Sequence, residues 1–213
     1  MRRAPHARTR PLGWLAASLG ALVVWPAIAV PPPGPVPDTA REAVALCAAA
    51  ERVGADDRAD LLTRGLALAE EAVQDMPDAP IAQFALFCTL GKRTADAGLS
   101  WRTLWAIPRL RAAADRAVAL APDWADAMAA KGAFLYYLPR LLGGDAVAGE
   151  RLLHDAITRD PGNGSARAIL ADVLIRQGRW EEGRAEAEVA HRLLAAEGMP
   201  VEAARVLALA AAQ

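Results

Sequence analysis

From Asp38 to Gln213 apolar residues recur at i, i+3, i+4 and i+7, and no apolar/polar alternation survives for more than a few residues. The pattern predicts an all-α chain. Its breaks carry the most information. Ala72-Val73-Gln74-Asp75-Met76-Pro77-Asp78, Ala117-Val118-Ala119-Leu120-Ala121-Pro122-Asp123 and Ala156-Ile157-Thr158-Arg159-Asp160-Pro161-Gly162 each set a β-branched residue after an alanine and a proline five positions beyond that alanine. Proline ends a helix and the following Asp or Gly turns the chain, so the three stretches predict the same helix-to-helix junction. Three junctions in one register indicate an internal repeat. The folded part is expected to begin near Asp38, as a cap for a helix starting at Thr39 or Ala40. Ser165 is expected to cap the helix after Pro161, and Ser100 a helix that carries Trp101 and Trp105.

These spacings resemble the tetratricopeptide repeat, a roughly 34-residue unit of two antiparallel helices with small residues at the helix contacts and proline near its end. The last unit, from Gly164, carries the resemblance best. Leu170-Ala171 and Leu174 stand at its large and small first-helix positions, Gly178 at its turn, Trp180 at the aromatic place, and Gly183 and Ala190 at the small contacts. Gly132, Gly149, Ala156 and Pro161 fit the unit before it, and Ala117 with Pro122 and Gly65, Ala72 with Pro77 fit the two earlier ones. The resemblance covers about residues 38–195 and implies a solenoid of about four helical hairpins. Two units are longer than standard, with 45 residues from Pro77 to Pro122 and 39 from Pro122 to Pro161. The surplus is expected in enlarged turns over 91–101 and 138–145. Leu141-Leu142-Gly143-Gly144-Asp145 is similar to a turn of exported bacterial repeat proteins such as TatT-like components associated with TRAP transporters. Leu90-Gly91-Lys92 is similar to the regulators of microtubule dynamics. Neither short match brings functional residues with it, and no lipid-attachment Cys follows the apolar N-terminal run.

In this family first helices line a concave groove, and the register implies groove positions for Phe84, Cys88 and Lys92, for Asp126, Tyr136 and Tyr137, and for Asp172, Ile175 and Arg176. Tyr136 and Tyr137 either anchor a partner or fill space around the enlarged turn. Trp101 and Trp105, four apart, share a helix face that either covers the insertion's own small core or lies open to a partner or ligand. Cys47 and Cys88 fall on the first helices of adjacent units. A disulfide is open to them in an oxidising compartment, but two buried free thiols are the favoured reading, because facing geometry does not follow from spacing.

Upstream, Arg2, Arg3, Arg8 and Arg10 precede an uncharged apolar run from Leu12 to Ala29 that ends Ala27-Ile28-Ala29. Residues 1–29 read as a signal peptide, with an uncleaved anchor over 12–29 as the alternative. Val30 to Pro37 holds five prolines and reads as a stiff leader into the domain 38–213. Export, to the periplasm, is the expected location; an inner-membrane anchor is the alternative. The segment holds four arginines and no acid, so its removal takes the net charge from −1 to −5. With 24 basic against 25 acidic residues, the chain offers no footprint for nucleic acid.

Chemistry is thinly represented. His154 and His191 stand alone on different helices, with no ligand-spaced pair for a metal. No nucleophile elbow or phosphate loop occurs, and the carboxylate pairs Asp56-Asp57, Glu70-Glu71 and Glu181-Glu182 are adjacent on helices and read as solvated faces. The sequence therefore predicts a non-enzymatic scaffold without cofactor that binds a protein or peptide in its groove, accessory to a cell-envelope assembly. The alternative is a carrier of a small hydrophobic ligand, using Tyr136, Tyr137, Trp101 and Trp105. Membrane contact is expected only through an uncleaved N-terminal segment.

Overall fold

A computed structural model describes residue 34 and residues 36–98 and 100–211; the expected signal segment and all of the leader except Gly34, Val36 and Pro37 lie outside the described residues. Among these residues the chain is all-α. The helices are α1 (Asp38–Ala49), α2 (Ala55–Asp75), α3 (Pro80–Asp96), α4 (Trp101–Leu120), α5 (Ala125–Tyr137), α6 (Ala146–Arg159), α7 (Gly164–Arg176), α8 (Trp180–Ala196) and α9 (Pro200–Ala211), with a 3-10 turn at Arg140–Leu142. They form four hairpins, α1–α2, α3–α4, α5–α6 and α7–α8, and α9 packs against both helices of the last one. First helices also pack on one another, α1 on α3 and α5 on α7.

The three proline junctions have one geometry. The residues that close α2, α4 and α6 are Met76, Ala121 and Asp160, at φ −137°, −138° and −131°. Each donates its amide to the carbonyl of the alanine that opens the pattern, Ala72, Ala117 or Ala156, at 2.9, 3.1 and 2.9 Å. Three residues on, Ala79, Trp124 and Asn163 donate back to Met76, Ala121 and Asp160 at 3.0, 3.1 and 3.1 Å. One local sequence thus makes one turn three times, which is what stacks the hairpins in a regular array.

Within hairpins, glycine sets the approach of the helices. A Cβ on Gly132 of α5 would lie 2.9 Å from the Gly149 carbonyl, and one on Gly149 of α6 would lie 2.6 Å from the Gly132 carbonyl. The backbones themselves touch there, and no side chain can give way. Between the second and third hairpins aromatic rings fill the seam instead. Phe84 meets Trp124 at 4.6 Å between centroids and Phe87 meets Phe134 at 5.6 Å, edge to face.

Four expectations are corrected. The surplus of the second hairpin does not enlarge its turn: α3 runs through to Asp96 and α4 starts at Trp101. Lys92–Ala97 contains no helix breaker, and an ion pair from Arg58 to Asp96 at 2.7 Å ties down the last turn of α3. The helices are longer and the connection is short. Asp38 is not a cap; it lies inside the first turn of α1 behind Pro37, which provides no side-chain cap. Asn163, not Ser165, caps α7, accepting from the Ala166 amide at 2.8 Å, because helix α7 has already begun at Gly164. Cys47 and Cys88 are not free thiols: they form a disulfide between α1 and α3, whose packing brings the Cα atoms to 6.4 Å.

The third hairpin does carry an enlarged turn. Gly143 sits at φ 89°, and a Cβ on Gly144 would fall 1.7 Å from the Leu138 carbonyl, so the pair accepts no larger residue. Asp145 then caps α6 through the Ala148 amide at 3.0 Å, and Ser100 caps α4 through the Thr103 amide at 3.3 Å, the latter as the sequence predicts.

Candidate binding site

First helices supply the candidate groove residues, and burial divides these into two groups. Along α3, Pro80 to Thr89 are all buried, and Ala125 to Ala130 of α5 are likewise. Small side chains let each first helix sit between its own second helix and its neighbours, so most of its circumference is covered. Phe84 and Cys88 are therefore interior, as part of the Trp124 contact and the disulfide.

Lys92 is 4% exposed, with its ammonium on the Glu51 carboxylate. Glu51 also meets Arg58 at 3.2 Å, and Arg58 donates to the Ala50 carbonyl at 2.8 Å. Burial pulls Lys92 down to about 8, against the opposing pull of Glu51. Burial pushes Glu51 up, but Lys92 and Arg58 outweigh it and hold the carboxyl below its ordinary 4.5. This network closes the first hairpin onto α3 and offers no free charge to a partner.

Asp126 is buried at the seam of the third and fourth hairpins. It accepts from Asn163 Nδ2 at 2.7 Å and from Trp124 Nε1 at 3.3 Å. The capping residue of α7 thus reads the first turn of α5. One helix further along, Asp172 is 3% exposed, accepts the Tyr137 hydroxyl, and takes Arg176 Nε at 2.5 Å. The Arg176 guanidinium lies 5.5 Å from the centre of the Tyr137 ring, and Tyr136 stands edge-on to Tyr137 at 5.2 Å. Tyr136 donates to the Val173 carbonyl at 3.3 Å. Burial, then the Asp172 carboxylate, push the Tyr137 phenol well above its usual range, so it stays a donor. Tyr136 and Arg176 remain partly open to solvent beside the buried Asp172 and the half-buried Tyr137, while Ile175 is buried in the last core cluster.

Trp101 and Trp105 behave differently. They are 68% and 75% exposed, and Leu104 beside them is 42% exposed. They do not cover a core of their own. The opposite face of α4, Leu110, Ala113, Ala114 and Ala117, is the buried one. Further along, Arg111 donates to the Gly143 carbonyl, with its guanidinium 5.8 Å from the Phe134 ring, and so seats the enlarged turn against α4.

Sequence reasoning did not single out Glu51, Arg58 or Asn163, each of which binds across elements that are far apart in the chain. Leu104 was legible as the i+3 neighbour of Trp101.

Residues 141–190, from the enlarged turn through most of α8, match the family model described as tetratricopeptide repeat. No curated protein matches the chain. The match covers the hairpins whose Gly149, Ala156, Gly183 and Ala190 pack as the repeat requires, and the same junction recurs upstream of it. Residues 141–190 thus carry a tetratricopeptide repeat, and the described residues as a whole are built as an all-α helical-hairpin solenoid of that type.

Proposed function

We propose that the chain is an exported, non-enzymatic scaffold that holds a protein or peptide partner along its first-helix face, as an accessory to a cell-envelope assembly. Tetratricopeptide repeats form protein-interaction scaffolds, which supports the general reading. The observation that carries the particular one is the Tyr136–Arg176 pair. Tyr137 and Asp172 hold both side chains in place from below, so a partner meets an aromatic and a guanidinium whose rotamers are already restricted. Tyr and Arg so arranged are the residue types that dominate interface energetics, and their ordering entropy is spent in folding. Arg2 to Arg10 before the apolar run support export, as does the Cys47–Cys88 disulfide, a bond that persists in oxidising compartments.

A photo-crosslinking residue placed at 136 in the full chain, in the source cell, tests this. The expected result is one dominant protein adduct, absent when the same residue is placed at Glu71 on the exposed side of α2. Arg176→Glu should weaken that partner's binding by about 2 kcal/mol. No adduct from 136, together with purified protein that carries a hydrophobic small molecule by native mass spectrometry, would replace the scaffold with a ligand carrier.

A further inference from the structure

The described residues expose seven large apolar side chains, Val53, Trp101, Leu104, Trp105, Leu141, Val147 and Trp180. Every one lies in, or within two turns after, a connection inside a hairpin, and none lies at a connection between hairpins. Helices alternate in direction, so all connections of the first kind share one edge of the array. That edge is where the molecule is apolar.

The patch is densest on α4. Trp101, Leu104, Trp105 and Pro108 recur at i, i+3, i+4 and i+7 and form a continuous exposed stripe, opposite the stripe that packs inward. A helix with an apolar face on each side has one more partner than the fold supplies. The enlarged turn of the next hairpin, seated on α4 by Arg111, extends the patch with Leu141, which is 99% exposed.

Charge distinguishes the possible occupants. α4 contains Arg102, Arg109, Arg111 and Arg116 against the single acid Asp115; Arg109 is paired with Glu70 at 2.7 Å and Arg116 with Asp78, while Asp115 is paired with Lys131, so the basic excess of α4 lies in Arg102 and Arg111. Arg93, near the end of α3, and Arg140, in the enlarged turn, lie at the same edge, both exposed and neither with a carboxylate partner among the described residues. The far edge bears exposed acids at its connections, Asp75, Asp78, Asp123 and Glu197, of which Asp78 is paired with Arg116 and Asp123 with Arg159. In the middle two hairpins the exposed acids at this edge include Asp96, paired with Arg58, and Asp145, the cap of α6; toward the ends acids gather, with Asp56 and Asp57 near Val53 and Glu181 and Glu182 near Trp180, so the footprint is the middle two hairpins.

We propose that this edge, through Trp101, Leu104, Trp105 and Leu141 together with Arg93 and Arg140, rests on an anionic phospholipid surface. Indole rings favour the headgroup level, where the ring is in an apolar setting and the N–H in a polar one, and arginines meet the phosphates. A second copy docked on the same stripe would bring two basic faces together. The contact is independent of the N-terminal apolar run.

Co-sedimentation of the full chain with vesicles tests the assignment, using phosphatidylcholine alone and phosphatidylcholine with phosphatidylglycerol. The expected result is about tenfold tighter binding to the anionic vesicles, weakening as salt rises, with tryptophan emission shifted to the blue and quenched by brominated lipid. Trp101→Ser with Trp105→Ser should remove the salt-sensitive part of the quenching and of the affinity, Trp14, Trp25, Trp124 and Trp180 remaining in the chain, and Arg93→Glu with Arg140→Glu should remove the preference for anionic vesicles. All four side chains are exposed, so helical circular dichroism should not change. Equal binding by wild type and both double variants would mean that residues elsewhere hold the membrane, and overturns the proposal. So does a dimer, or a protein adduct, that the tryptophan variants abolish while vesicle binding persists.

Discussion

Lys92 and Glu51 show how a residue pair can look functional in one dimension and be structural in three. A lysine on a first helix of this family belongs to the groove by register, yet here its ammonium is consumed by a glutamate 41 positions earlier. Removing the carboxylate leaves a buried cation whose only remedy is to lose its proton. Glu51→Gln should therefore cost about 3 kcal/mol at neutral pH and pull Lys92 further below 8. The sign of the pH dependence follows from the direction of each shift. Glu51 lies below its ordinary 4.5 when folded, so its contribution is complete above that value and is lost as pH falls through the folded one. Lys92 runs the other way. Its cost is full below about 8 and is relieved as pH rises from there toward 10.5. Denaturant titrations across pH should show both slopes in the wild type, and Glu51→Gln should flatten the acid one. At this scale the sequence was least informative. Which carboxylate meets Lys92, or which side chain meets Asp126, depends on contacts between residues 37 and 41 positions apart, and no local pattern encodes them.

Helical hairpins, by contrast, were legible because their signals are local. Alanine, proline and the turn residue at each junction act within seven positions, and the backbone bonds they form are the same three times. The lengths of α3 and α4 depart from the expectation for a related reason: a longer repeat does not need a longer turn where, as over Lys92–Ala97, nothing stops a helix. Glycine positions divide by what faces them. At Gly149 a Cβ would meet backbone atoms only, the Gly132 carbonyl at 2.6 Å and the Tyr136 amide at 2.8 Å, apart from the Tyr136 Cβ at 3.0 Å. Gly149→Ala must push α5 and α6 apart and should cost about 2–3 kcal/mol despite the better helix propensity of alanine. At Gly65 the nearest atom is a methyl of Thr89 at 3.0 Å and the rest lie at 3.4 Å, so a small adjustment suffices. Gly65→Ala gains about 1 kcal/mol of helix propensity, loses part of it to crowding, and should leave the melting temperature nearly unchanged. A scan in which both variants melt together would mean that helix approach is not set by backbone contact at α5–α6.

Across the whole molecule the interior is a chain of overlapping cores. One runs from α1 to α5, the next from α5 to α7, and the last from α7 to α9, linked only through the helices they share. In such an array each hairpin is stabilised by its neighbours, and among the described residues the first and last hairpins have a neighbouring hairpin on one side alone. The two ends solve this differently. At the C-terminal end α9 covers the last hairpin, with Met199, Ala203 and Val206 buried against it. At the other end Cys47 and Cys88 tie α1 to α3, both sulfur-bearing residues fully buried, and close a loop of 41 residues. Restricting the unfolded chain over that length corresponds to about 4 kcal/mol in the loop-entropy model. Because coupling passes from neighbour to neighbour, the loss on reduction should be local. Hydrogen exchange of the reduced protein, or of Cys47→Ala with Cys88→Ala, should show amides of α1 and α2 losing protection by two orders of magnitude or more, about 3 kcal/mol, while α7 and α8 change little. Equal loss in every helix would show instead that the solenoid unfolds as one cooperative unit, and that the seam of rings between Phe84, Trp124, Phe87 and Phe134 transmits strain as well as backbone packing does.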